Sequence, residues 1–227
     1  YKNFEGSSHL KIAEWIKRSN FKKVLDLGCA GGFLGKALDS DWKGELTGVD
    51  ADQLWTGSEG LKIYKEILWS DLDLDRIDSL FKEEKFEIVV VLDILEHLKK
   101  PEELIKGIKR IIKPNGYLMV SLPNNNFLPV LIIRTLFPKL RWSRGPLDAT
   151  HLHFYDINSA KKLLESSGFR IKKVDVTSVP LPIISNLFAS GSILYPLYLL
   201  SLVVSKIIPH YFGYQVLLFA ELDSQNV

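Results

Sequence analysis

The chain has 227 residues, 46% of them hydrophobic and 25% charged, which suits one large globular domain and excludes a disordered chain. Lys and Arg total 29 against 27 Asp and Glu, and a net charge of +2 is too balanced to argue for nucleic-acid binding. The single cysteine, Cys29, excludes an internal disulfide framework and fits a reducing, cytoplasmic setting.

The N-terminal stretch has no apolar core and no small-residue cleavage site, so no secretory signal is expected. Residues 8–18 have helical spacing (Leu10, Ile12, Ala13, Trp15, Ile16), with Ser7 or Ser8 as cap. A strand at 23–27, a helix at 32–40, a strand at 45–49, a helix at 51–60, a strand at 63–69 and a short helix near 73–81 follow. The run "FEIVVVL" (86–92) is apolar without alternation, as a strand covered on both faces should be. Residues 101–113 open with proline and acids and close at Lys113 before Pro114-Asn115-Gly116, a helix and its stop. Strands are expected at 116–123, near 169–178 and near 212–221. Repeated strand–helix alternation predicts a parallel sheet with helices on both faces.

Two segments interrupt that rhythm, at about 124–150 and 179–210. The first, "FLPVLIIRTLFPKLRWSRGPLDATHLHFY" (127–155), is too long for an ordinary strand-to-helix connection. The second contributes to a run of 30 residues without a formal charge, Val176 to Ser205. One crossing of a bilayer would strand the closing strand on the far side, two need about 40 residues, and Pro180, Pro182, Gly191 and Pro196 divide the segment. A helical hairpin lying in a membrane interface or folded over a pocket fits better. Arg134, Lys139, Arg141 and Arg144 beside Trp142 suit anionic headgroups. Membrane-surface contact is therefore expected through 127–144 and 179–209, with a buried helical pair or a homodimer interface as the plain alternative.

The stretch "VLDLGCAGG" (24–32) ends a strand in a carboxylate and breaks into small residues. In a doubly wound sheet, ligands bind beyond the carboxyl ends of the strands. A phosphate loop is excluded because Phe33 stands where its second glycine belongs, and a dinucleotide fingerprint fails at Ala30 and Phe33. Three acids follow three successive strands: Asp26, then Asp50 in "GVDAD", which can accept ribose hydroxyls, then Asp71 in "WSDLD", placed for an adenine amino group. With no clamp for a diphosphate, the pattern points to a phosphate-free nucleoside cofactor such as S-adenosylmethionine.

At these residues the sequence resembles the class I S-adenosylmethionine-dependent methyltransferases. "VLDLGCAGG" is similar to their first motif, D-x-G-x-G-x-G, with Gly28 and Gly32 as its outer glycines. Ala30 replaces the middle one, a change tolerated if the backbone there is ordinary. "FEIVVVLDILEHLKKPEELIKGIKRIIKPNGYLMVSLPN" resembles the branch that includes ubiquinone-biosynthesis O-methyltransferases. The resemblance implies an α/β, Rossmann-like three-layer sandwich in a single domain, with a seven-stranded, mostly parallel sheet whose last strand is antiparallel and with apolar helical insertions. It implies cofactor contacts from Asp26, Gly28, Cys29, Ala30, Gly32, Asp50, Ala51, Asp71, Leu72 and Leu92. It also implies methyl transfer to an oxygen or nitrogen of a small-molecule or lipid-linked acceptor.

Cys29 reads as a small residue in a packed turn rather than a nucleophile. His97, in "LEHL", and His151 are the candidate catalytic bases, each with a structural role as its alternative. In extended chain His151 and His153 would point to opposite faces. No cluster has metal-ligand spacing along the chain, so no metal is expected; Glu96-His97 and Asp148-x-x-His151 are the pairs nearest to binding a divalent ion. An NAD(P)-dependent oxidoreductase, and an inactive methyltransferase-like scaffold bound at a membrane, are the rival readings.

Overall fold

The computed structural model describes residues 4, 6–39, 41–82, 85–140 and 145–223. Seven strands form one sheet: β1 (Lys23–Leu27), β2 (Glu45–Asp50), β3 (Glu66–Trp69), β4 (Phe86–Leu92), β5 (Ile112–Pro123), β6 (Phe169–Thr177) and β7 (Gln215–Leu222), in the order β3-β2-β1-β4-β5-β7-β6. β1 to β5 pair in parallel, and β7 runs antiparallel to both β5 and β6, as the resemblance implied. Because β7 is antiparallel to both neighbours, β6 points the same way as β1 to β5. All six parallel strands therefore deliver their carboxyl ends to one edge of the molecule.

Alternate residues of the central strands enter two cores. On one face Val24, Ile88, Val90 and Met119 meet Ile12 and Ile16 of α1 (Ser8–Arg18) and Leu34 and Leu38 of α2 (Phe33–Leu38). On the other, Leu25, Val89, Val91 and Val120 meet Ile77 of α3 (Ile77–Leu80), Leu104, Ile105 and Ile108 of α4 (Pro101–Ile111) and Ala160 and Leu164 of α6 (Ile157–Ser166). Full burial of both strand faces is what the unbroken apolar run of β4 requires. Ser7 caps α1, and Asp156 with Ser159 forms a reciprocal capping box on α6.

Several expected boundaries move. Residues 51–60 form no α-helix; two 3-10 turns, Gln53–Trp55 and Glu59–Ile63, take their place, because Asp52 caps the first and Gly57 (φ 86°) ends it. Only Ile77–Leu80 is helical within 73–81, since Asp71 accepts the Asp73 N–H and holds a non-helical turn, while Asp73 is drawn to the distant Lys99 N–H. α4 stops at Ile111, and β5 begins at once, pairing Ile112 with Phe86 and carrying Pro114-Asn115-Gly116 in an irregular stretch.

Both insertions leave the carboxyl edge. α5 (Leu128–Leu136) follows β5, whereas α7 (Leu181–Ile184), a 3-10 turn (Asn186–Phe188), α8 (Tyr195–Ile207) and α9 (Pro209–Phe212) fill the path from β6 to β7. The second insertion is thus one principal helix with short flanks rather than a hairpin. Pro182, Pro196 and Pro209 lie in first turns and start helices instead of breaking them. Arg141, Trp142 and Arg144 lie outside the described residues. Among the described residues no helix is long and apolar enough to cross a membrane.

Candidate functional site

The turn after β1 is wound onto the end of β2. The N–H groups of Gly28 and Cys29 both donate to the Val49 carbonyl, at 2.8 and 3.1 Å. Ala30 N–H donates to Asp50 Oδ2 at 2.7 Å, and Gly32 N–H to the Cys29 carbonyl at 2.9 Å. Four of the turn's donors are thereby spent inside the protein. A turn of this kind offers little to a phosphate, whose binding depends on such donors.

The small residues answer to close packing. Gly28 (φ 77°) lies against Ile94, and a Cβ there would sit 2.1 Å from its Cδ1. Gly32 (φ 75°) meets the backbone of Gly60, 2.2 Å from where its Cβ would be; a Cβ on Gly60 would in turn meet the Gly31 and Gly32 carbonyls at 2.4 Å. Gly60 was not among the sequence-derived site residues, and nothing in the spacing singles it out. Ala30 corrects the expectation of ordinary backbone: its φ is 45°, the left-handed region that favours glycine, at a cost of about 1 kcal/mol.

Asp26 is buried beneath the turn and accepts the Tyr64 hydroxyl at 2.6 Å. Tyr64 reaches it through a slot bounded by Gly48 of β2 and Gly35 of α2, where a Cβ would lie 2.9 or 2.6 Å from the tyrosine ring. Burial, followed by the neighbouring Asp26 charge, pushes the Tyr64 pKa well up, so it stays a donor. Cys29 turns its sulfur inward toward Gly48, and burial, then Asp26 and Asp50, push its thiol pKa up, which keeps it protonated. Asp26 and Cys29 therefore support the turn from below. Leu92 is likewise buried, with only backbone available at the strand tip.

Asp50 stands differently. Half-buried at the tip of β2, it accepts Ala30 N–H through Oδ2 and Asp52 N–H through Oδ1, at 2.7 and 2.9 Å. A carboxylate has about four acceptor positions. Two backbone bonds fix its direction and leave capacity for the hydroxyls of a ribose. Ala51 is exposed beside it, and Asp71 and Leu72 follow β3 at the same edge, Asp71 exposed and accepting Asp73 N–H. Trp55 packs on Gly31 and makes an edge contact with Phe33, beside the turn.

Beyond β4 a second group assembles. Asp93, at φ 57°, receives Ser121 Oγ at 2.8 Å and Gln215 Nε2 at 2.8 and 2.9 Å, tying the tips of β4, β5 and β7. One turn on, Glu96 is buried, and its carbonyl accepts the N–H groups of Leu152 and His153. That clamp brings His151 to His97, ring centroids 4.8 Å apart. The Thr150 hydroxyl donates to Asp148 at 2.7 Å, which leaves its oxygen to accept from His97 Nδ1 at 3.0 Å and makes Nε2 the basic nitrogen. Burial, then the neighbouring His97, lowers the His151 pKa, favouring the neutral ring. His153 turns away to stack on Tyr155, so the two histidines do face apart. Spacing along the chain offered no metal cluster, yet folding brings one ligand atom each of Glu96, His97 and His151 within 4.8 Å of one another, a donor set able to hold a divalent cation.

Comparison with known proteins gives three findings. Residues 7–174 match a family model described as a methyltransferase domain. A ubiquinone biosynthesis O-methyltransferase of Coxiella burnetii is 30% identical over 166 residues, 70% of this chain and 67% of that protein. In fold, the chain is similar to a SAM-dependent methyltransferase from Archaeoglobus fulgidus (TM-score 0.57, 20% identity, 95% of each chain). It is also similar to magnesium protoporphyrin IX methyltransferase from Synechocystis PCC 6803 with bound SAH (TM-score 0.62, 14% identity, 94% of this chain and 81% of that one).

Proposed function

This chain belongs to the S-adenosylmethionine-dependent methyltransferases, and from that premise we propose that it methylates an oxygen atom of a small, apolar or lipid-linked acceptor at the carboxyl edge of its sheet. The observation that carries the cofactor assignment is the Asp50 carboxylate, held in direction by two backbone N–H groups beside a turn that spends four of its own donors inside the protein. That pairing suits a ribose and disfavours a dinucleotide phosphate, so the oxidoreductase alternative gains no support. Asp71 and Leu72 serve the adenine end, and the backbone at Gly28, Ala30, Gly32 and Leu92 the amino-acid tail, with Asp26 and Cys29 supporting the turn.

Bound S-adenosylmethionine supplies a methyl carbon whose bond to sulfur breaks as the acceptor oxygen bonds to it, leaving neutral S-adenosylhomocysteine. The protein's task is chiefly to position the acceptor in line and to receive its proton. His97, its basic nitrogen set by Thr150 and Asp148, and the neutral His151 beside it are our candidates for that proton. A cation held with Glu96 would instead lower the hydroxyl's pKa directly. The apolar insertions support a lipid-like acceptor and a peripheral position at the inner face of the cytoplasmic membrane.

Calorimetric titration with S-adenosylhomocysteine tests the cofactor site. Wild-type protein should bind, and Asp50→Ala should weaken binding at least about tenfold by removing a charge-assisted hydrogen-bond acceptor. Equal affinity in the variant, or preference for NAD over S-adenosylhomocysteine, overturns the assignment.

A further inference from the structure

α5 and α8 each bury one side and leave the other uncovered. On α8 the inward stripe is Tyr198, Leu202 and Ser205, with Tyr198 and Leu202 against Gly6. The opposite stripe carries Leu199, Leu200, Val203 and Ile207, and Leu200 is 57% exposed. On α5 only Val130 is buried, while Leu128, Ile132 and Leu136 form an outward line at four-residue spacing. A helix that is apolar all round belongs in a core or against another apolar phase, and these two helices face outward over half their girth. Phe127, Val130 and Leu147 pack with Ile133, Val179 and Tyr214, so both insertions root in one small cluster.

Charge identifies what covers them. Among the described residues, 127–140, 145–147 and 176–210 together contain Arg134, Lys139 and Lys206 and no Asp or Glu. Another protein's apolar patch would need no such excess, whereas anionic headgroups attract it. α8 spans roughly 20 Å against a hydrocarbon core of about 30 Å, which suits a helix lying in the interface rather than crossing.

We infer that the outward stripes of α5 and α8 are a docking surface for an anionic lipid bilayer, at the edge of the molecule where the cofactor crevice opens. That placement follows from topology: α5 leaves the carboxyl end of β5 and α8 follows that of β6, the ends that also carry the glycine turn, Asp50 and Glu96. The acceptor then enters from the lipid without crossing water, a step that rests on the methyl-transfer reading, whereas docking itself does not.

Flotation of the full chain with vesicles tests the surface. The protein should float with vesicles containing phosphatidylglycerol and remain largely unbound with pure phosphatidylcholine. Leu200→Glu combined with Val203→Glu should lower the vesicle partition coefficient about tenfold or more, and Lys206→Glu about fivefold. Titration of the same variants with S-adenosylhomocysteine should match wild type, which shows them folded. If wild type stays unbound on phosphatidylglycerol vesicles, the inference falls. It falls equally if sedimentation finds a dimer that Leu200→Glu dissociates, because a second copy then covers the stripe. Flotation without S-adenosylhomocysteine binding would uphold the surface and remove the cofactor reading instead.

Discussion

Asp26 is 3% exposed and takes the Tyr64 hydroxyl at 2.6 Å, whereas Asp50 keeps part of its surface open and takes only backbone donors. The motif's first acid is thus buried beneath the turn and the second half-open at the strand tip, a division their equivalent positions at strand ends do not reveal. Removing the phenol donor while keeping the ring isolates the buried contact. Tyr64→Phe should cost about 2 kcal/mol in a denaturant melt, the range for a hydrogen bond to a charged group. Asp26→Asn, whose amide oxygen still accepts the phenol, should cost less. No loss from Tyr64→Phe would show that the bond contributes nothing to holding the turn. The same contrast explains what sequence could show here. Three acids after three strands were legible because the chain's period sets them at one edge. Which of them is buried depended on Tyr64, which reaches Asp26 through a slot that Gly35 and Gly48 leave open.

The glycine turn and the 3-10 segment Glu59–Ile63 form one unit, joined where Gly32 and Gly60 meet backbone to backbone. Gly60→Ala should therefore act on a site it does not touch. Its Cβ would press on the Gly31 and Gly32 carbonyls, so stability should fall by about 1–3 kcal/mol and S-adenosylhomocysteine binding should weaken in parallel. Unchanged affinity with lowered stability would mean that the contact is packing alone. This unit is where the sequence-derived elements were least accurate. A helix was expected over 51–60, yet Asp52 caps a 3-10 turn, Gly57 takes a positive φ and Gly60 meets the glycine turn, and local apolar spacing cannot register that contact. Strands fared better, because β4 and β7 are buried on both faces and say so in the apolar runs Ile88–Leu92 and Val216–Ala220. His97 and His151 were each noticed, but their meeting depends on the Glu96 carbonyl clamping Leu152 and His153, a long-range bond without a local signature. The second insertion's prolines were read as breakers, although a proline in a first turn starts a helix and only the fold decides between the two.

At the scale of the whole molecule, three tyrosines tie the sheet's carboxyl edge to its surroundings: the buried Tyr64 under the glycine turn, the buried Tyr155 beside the Glu96 clamp and the half-buried Tyr214 at the entry to β7. Burial pushes the pKa of Tyr155 and Tyr214 up to about 12, helped by Glu102 and Glu96 for the first and by Asp93 for the second; Tyr64 is raised as well. A phenol in the unfolded chain titrates near 10. The folded state therefore holds these protons more tightly, and unfolding releases them. The stability they contribute is complete below about pH 10 and is lost as pH rises through about 12. Circular dichroism melts recorded alongside phenolate absorbance should show the melting temperature falling across that window, with the late-ionising phenols appearing together with unfolding. If every tyrosine instead ionised in one step near pH 10 while the fold persisted, these rings would not be sealed as described. The crevice edge they line would then be open to water without any ligand, and the close packing argued for the turn, the Glu96 clamp and the first residues of β7 would fail together.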